Sequence, residues 1–506
     1  MKRFLNLSVV LLIFLVFSCS SSHSTNDTDI LPDSDADTQD SETQDDDSDS
    51  QSSEIVDDSE EKPDIDSDKN EDETLEEDDD SEENCNAEGE EEEEDDEDFD
   101  DTDRINGYAR CYDEIPDEPY EGLFADPNLE YWIKQNLNYD EDYELTEEDL
   151  KNITDLAVYA HDLRGIEKLV NLEHLQIRVQ ISDGNIYDFT PLSKLEKLKE
   201  LKINASSMTC LDGSFSLLTN LETLEIEDTK LKDVSPIEQL VNLKSLDLDQ
   251  NQIEFLPANI GNLQKLEYLT FSYNKVQNIE AIESLKNLER LGFTHNQIED
   301  ILPIKNMTKL IVINFSNNNI ADISAVENFS KLESLGANSN KIKMLPDFQR
   351  LGKLRRIYLS FNNISNLSEL KGLDLLDEMW LDNNEIDDDG LIKLDGLEHI
   401  KFLTVALNKI TKVPVMKNLK SLKELYLNYN SITDLSGFAD NESFPALKRL
   451  DVGSNRIENV EAFRNRKGLS SLWVTKNCIK DFSPLEELKE RGTYVGGMNE
   501  QLESCE

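Results

Sequence analysis

The chain has 506 residues, with 49 Lys and Arg against 109 Asp and Glu, a formal net charge of −60. That surplus of acid argues against a nucleic-acid binder, because phosphate recognition needs a positive footprint. Six cysteines are few, no CxxC occurs, and the five histidines (His23, His161, His174, His295 and His399) do not cluster with them, so a metal centre has no basis in the sequence.

At the amino terminus Lys2-Arg3 precedes an apolar run from Leu11 to Phe17, too short to span a bilayer, and residues 1–18 read as a secretory signal peptide. The run ends in Val16-Phe17-Ser18-Cys19, which resembles the lipobox of bacterial lipoproteins. The resemblance implies cleavage before Cys19 and lipidation of Cys19 by fatty acids such as palmitate. Ser20 implies a cell-envelope protein lipid-anchored in the outer membrane and facing the exterior. An ordinary signal peptide with an incidental cysteine is the competing reading.

Residues 19–103 form the next segment. From 27 to 103 it holds 42 Asp and Glu against Lys62 and Lys69, a net of −40. So charged and so poor in apolar residues, it cannot bury enough surface to fold, and it is expected to be a disordered tether. Its reach is about 50 Å as a random coil and at most about 280 Å fully extended. Asp33, Asp35, Asp37 and Asp40 resemble the start of a calcium loop, but Thr38 stands where the turn wants Gly and Gln44 where a bidentate Glu would close it. Weak, diffuse association with divalent cations is what remains.

After a transition segment, 104–122, residues 123–152 carry helix signals. Asp126 and Pro127 suit an N-cap and first turn, Leu129, Ile133 and Leu137 form an apolar stripe, and Thr146 starts a second short helix. Residues 153–481 then repeat. Leu243, Leu246, Leu248, Asn251 and Ile253 recur as Leu422, Leu425, Leu427, Asn430 and Ile432. The asparagines Asn251, Asn274, Asn296, Asn318, Asn340, Asn362, Asn384, Asn408, Asn430, Asn455 and Asn477 stand 22 to 25 residues apart. Earlier units, such as Leu221, Leu224, Ile226 and Thr229, keep the apolar ladder and lose the Asn. Starting from Ile153, Leu156 and Val158, about fifteen units follow, the second with an insertion near 182–187.

A period of this length marks stacked repeats, and the alternation of Leu, x and Leu makes one strand per unit. No unit can cover its own apolar ridge, so neighbours bury it between them and the terminal units need covers. Each Asn amide is expected to serve backbone groups of its own turn and of the next coil. Residues 482–506 are expected to form the C-terminal cover.

The pattern LxxLxLxxNxI resembles the leucine-rich repeat in its 22-residue bacterial form. Phe124-Ala-Asp-Pro-Asn-Leu129 with Leu145-Thr-Glu-Glu-Asp-Leu150 resembles the helical cap that precedes internalin-type repeats. The resemblance implies an α/β solenoid, curved, with a parallel sheet on its concave face, short 3-10 or irregular segments outside, and a helical cap at the front. With Cys19 assigned to lipid, five cysteines remain. The economical pairing is Cys85 with Cys111 and Cys478 with Cys505, leaving Cys210 a free, buried thiol.

No nucleophile elbow, phosphate loop, dinucleotide fingerprint or HExxH occurs in the repeats, so no catalytic residue and no cofactor are expected. The x positions, by contrast, line the concave face. Tyr358, Trp380, Tyr426 and Trp473 fall in one column, with Phe361, Phe402 and Tyr429 nearby, so aromatics gather toward the C-terminal half. Rigidly held aromatics suit protein interfaces, although sheets favour aromatics without any ligand. The expected role is adhesion or interaction through a protein ligand, or a glycan, held on this face. A structural, envelope-organising lipoprotein whose acid tract meets divalent cations is the alternative, and a regulatory or inhibitor subunit of an enzyme is a weaker one.

Overall fold

The computed structural model describes residues 104–105, 108–109, 119–179, 188–206, 208–367, 370 and 372–505. The signal segment, Cys19, the acidic tether, Cys85, Cys111 and the insertion at 182–187 lie outside the described residues. Within the transition segment, β1 (Arg104–Ile105) and β2 (Tyr108–Ala109) pair antiparallel as a small hairpin. It lies beside the 3-10 turn at Gly213–Leu217.

Two helices precede the array, the first of them against its first strand. In α1 (Pro127–Asn136) the Asp126 side chain accepts the Asn128 N–H at 2.8 Å, Pro127 opens the first turn, and Leu129 and Ile133 are fully buried. In α2 (Glu147–Leu150) the Thr146 hydroxyl accepts the Asp149 N–H while the Asp149 carboxylate accepts the Thr146 N–H at 2.9 Å. This reciprocal capping box fixes where the helix starts.

After these helices, sixteen parallel strands run in sequence order from β3 (Asp155–Tyr159) to β18 (Tyr494–Gly496) as one open sheet. The register steps by one repeat, Ser334 facing Val312 on one side and Arg356 on the other. Inward residues such as Leu246, Leu269, Ile313 and Ile357 are fully buried. Each contributes on the order of 1.5 to 3 kcal/mol by burial, and only stacked neighbours provide the burial. The outer side is built of 3-10 turns such as Ser235–Gln239 and Leu302–Asn306. The 24-residue interval between Asn384 and Asn408 accommodates a helix, α3 (Asp388–Lys393). The 25-residue interval before Asn455 holds a loop pinned by buried Arg466, which donates to the backbone carbonyls of Ser443 at 2.7 Å and Asp440 at 3.2 Å.

The asparagines bind backward along the chain, not forward as expected. The Asn340 amide donates to the Phe315 carbonyl of the preceding coil and to Ala337 and Asn338 of its own turn, at 3.1 to 3.3 Å. Its carbonyl accepts the Ile320 N–H at 3.0 Å, again from the preceding coil. The reason lies in the turn, which swings the side chain under the coil already laid down. In every repeat of the ladder the residue just before the Asn is left-handed, from Gln250 (φ 58°) through Ser339 (φ 54°) to Lys476 (φ 53°). In the ladder repeats the strand has three residues, whereas the Asn-less early strands, such as β4 (His174–Val179), run to five or six, even where a left-handed Asp228 (φ 54°) follows.

The C-terminal cover is a sixteenth, degenerate coil. It contains α4 (Ser483–Glu490) and β18, and Gln501 takes the role of a ladder Asn, donating to the Val474 carbonyl at 2.9 Å and accepting the Ile479 N–H at 3.3 Å. Cys478 and Cys505 form a disulfide with a Cα–Cα distance of 5.7 Å. Cys210 corrects the sequence reading: it is half-buried and disulfide-bonded, not a free thiol, and its partner lies outside the described residues. That bond and the pairing of Cys85 with Cys111 cannot both use the same cysteine.

Candidate ligand-binding face

Each short strand turns its first and third side chains away from the core, so the sheet face is a grid with one row per repeat. Four rows carry the candidate residues: β12 (Arg356–Tyr358), β13 (Glu378–Trp380), β14 (Phe402–Thr404) and β15 (Glu424–Tyr426). Tyr358, Trp380 and Tyr426 occupy third positions. Thr404 fills that position in β14, and its small side chain leaves room for the ring of Phe402, which comes from the first position and leans across.

The result is a continuous ladder of four rings. Tyr358 meets Trp380 at 6.1 Å between centroids, Trp380 stacks on Phe402 at 5.2 Å, and Phe402 meets Tyr426 at 5.4 Å. The polar tips are tied to neighbours on their own strands, the Trp380 indole N–H to Glu378 at 2.6 Å and the Tyr426 hydroxyl to Glu424 at 3.1 Å. Burial, then the Glu378 charge, pushes the Tyr358 phenol up to about 12. Burial, then Glu424, raises that of Tyr426. Both stay neutral, so the ladder presents apolar ring edges.

Trp473 does not join it. Asp451 intervenes, and Trp473 pairs instead with Tyr494 on β18 at 6.0 Å. Phe361 and Tyr429 form a second row, on the left-handed turns (φ 60° and 56°), and are 45% and 47% exposed. Leu407 stands between them in the same backbone state, φ 55° and 45% exposed. Sequence reasoning missed Leu407 because it sits where the repeat places any residue type. Between the rows lies Asp382, whose carboxylate accepts the Thr404 hydroxyl and the Ala406 N–H. Burial outweighs those bonds and raises it to about 6.

The first half of the face is different in character. Glu225, Glu227, Asp247 and Asp249 line adjacent strands, and burial followed by the Asp249 charge lifts Asp247 to about 9. Among the described residues no group of three or more His, Cys, Asp or Glu is arranged to hold a metal ion. Many other carboxylates proved structural. Asp233, Asp300, Asp322, Asp434 and Asp481 each accept the N–H two residues on, starting the outer turns. The recurring Asp-x-Ser-x-apolar spelling, as in Asp233-Val-Ser-Pro-Ile237, was the signal that could have found all but Asp300, where Leu302 replaces the Ser.

Comparison with known proteins places this geometry. Two models described as leucine-rich repeats match residues 219–259 with 420–465, and residues 241–298. An internalin, InlF, of Listeria monocytogenes is 28% identical, with a TM-score of 0.51 over 74% of this chain and 95% of that one. The fold is a leucine-rich repeat solenoid. A leucine-rich repeat protein of Leptospira interrogans is similar at 22% identity and TM-score 0.57, covering 69% of this chain and 97% of that one. The plant peptide hormone receptor RGFR1, determined in complex with RGF2, is similar at 21% and 0.54, covering 70% and 64%. No curated protein matches the chain. Leucine-rich repeats supply a binding scaffold whose exposed grid is free to vary, and in this solenoid the grid's apolar content is concentrated on β12 to β15.

Proposed function

We propose that this protein is a lipid-anchored bacterial surface protein that binds a protein partner through the C-terminal half of its concave face. The observation that carries the reading is the ring ladder Tyr358–Trp380–Phe402–Tyr426 flanked by Phe361, Leu407 and Tyr429 on left-handed backbone. The turn there admits any residue type, Gln250 and Lys476 included, and nothing in the core requires large apolar or aromatic side chains at these three. Two apolar rows with a polar floor between them suit an inserted polypeptide segment. The central rings favour protein over glycan, since Trp380 and Phe402 cover one another's faces and sugars need an open ring face. RGFR1, of the same fold and determined in complex with RGF2, supports the same class of ligand. Anchoring through Cys19 at the outer membrane rests on the sequence Val16-Phe17-Ser18-Cys19.

The test is capture of surface partners by the full chain and by the double variant Trp380→Ala, Tyr426→Ala. We expect affinity to fall at least tenfold with the circular dichroism spectrum unchanged. Equal affinity for the folded variant would exclude this patch. Protease accessibility on intact cells tests surface display separately.

A further inference from the structure

The seam between the front cap and the first repeats holds a second feature, far along the sheet from the ring ladder. A recess of about 450 Å³ opens between α1, β3 and β4, walled by Tyr131, Trp132, Tyr159, His161 and Arg178. The rings form a connected wall, Tyr131 edge-on to Trp132 at 5.4 Å and Trp132 against Tyr159 at 5.2 Å. Arg178 is exposed, lies over the Tyr159 ring at 5.9 Å and donates to its hydroxyl at 3.3 Å.

Arg178 is the guanidinium in the wall of this recess. Among the described residues no carboxylate stands within ion-pair distance of it, although nearby cations are paired, Lys199 with Glu173 at 2.6 Å and Lys202 with Glu225 at 3.0 Å. The buried acid at the rim, Asp126, is 2% exposed, accepting the N–H groups of Asn128 and His161 at 2.8 and 3.0 Å and facing the His161 ring at 3.4 Å. It supports the rim, and among the described residues no acid is paired with the guanidinium. A planar fork of donors beside an aromatic wall, in a recess of small-ligand size, is matched by an anion attached to a ring.

We propose that this recess binds a ring-bearing carboxylate, its anion on Arg178 and its ring against Tyr131 and Trp132. Acidic sugars and aromatic carboxylates share that chemistry. The test is saturation-transfer NMR on the full chain with D-glucuronate, benzoate and D-glucose, repeated with Arg178→Gln and Tyr131→Ala. Both substituted side chains are exposed, so the fold is retained and thermal melts check it. We expect transfer to a carboxylate and none to glucose, with affinity at least tenfold weaker in Arg178→Gln, the loss of one charge-assisted contact. Tighter glucuronate assigns an acidic sugar, and tighter benzoate an aromatic acid. The proposal falls if neither carboxylate receives transfer, if glucose binds as well as glucuronate, or if Arg178→Gln binds like the native chain.

Discussion

Asn340 satisfies four backbone groups with one side chain, two of them in the coil before its own. Replacing it by Ala strands the buried Ile320 N–H and leaves the Phe315 carbonyl only the Asn318 amide, so we expect Asn340→Ala to cost roughly 1 to 3 kcal/mol. Urea unfolding of the two proteins measures it, and an unchanged midpoint would contradict the assignment. The ladder was legible because its function requires one residue type, an amide of fixed reach. The positions just before it were not, for there the backbone is what matters. Gln250, Tyr273, His295, Phe361 and Lys476 share a left-handed turn and no chemistry. The same blindness hid Leu407, which differs from its neighbours only in being apolar where the turn makes it project.

Elements defined by the ladder were easy to place, and those that depart from it were not. β18 carries one inward residue, Val495, and neither the flanking leucines nor the Asn, so nothing in Tyr494-Val495-Gly496 announces a strand. It exists because the sheet edge at β17 (Ser471–Trp473) offers unpaired groups that Tyr494 to Gly496 satisfy. Two devices hold that last coil, the Gln501 amide and the bridge from Cys478 to Cys505. A loop of this size closed by a disulfide is worth about 2 to 4 kcal/mol. We therefore expect Gln501→Ala, under reducing conditions, to expose the amides of β18 and β17 to hydrogen exchange while β8 (Tyr268–Thr270) stays protected. Loss of protection along the whole array at once would show that the ends are not independent.

Across the whole molecule the acid is divided by task. The outer carboxylates start turns, whereas Glu225, Glu227, Asp247 and Asp249 crowd one stretch of the sheet face, where burial and mutual repulsion hold Asp247 near 9. An unfolded aspartate titrates near 4. Between about 4 and 9 the folded state therefore keeps a proton that the unfolded chain has released, and stability falls as pH rises through that window. Asp247→Asn should remove part of this slope and stabilise the protein by about 1 kcal/mol at pH 8, with little effect at pH 4. Urea melts at the two pH values decide it, and a variant that keeps the native slope would rule Asp247 out as its source. Such crowding could not be read from the sequence, because in a chain with 109 acidic residues the spacing of any four says nothing. The face they occupy could be read, since counting back from each Asn assigns every side chain to core or surface.

Gln501 offers its amide to the coil before it from a segment that does not repeat, and nothing in that arrangement depends on how many coils precede it. The solenoid thus has a stop that is indifferent to count. A copy of residues 319–340 spliced in after Asn340 would meet the same register on both sides, so the length of the scaffold, and with it the distance between the Arg178 recess and the ring ladder, is a quantity that duplication can change without rebuilding either end.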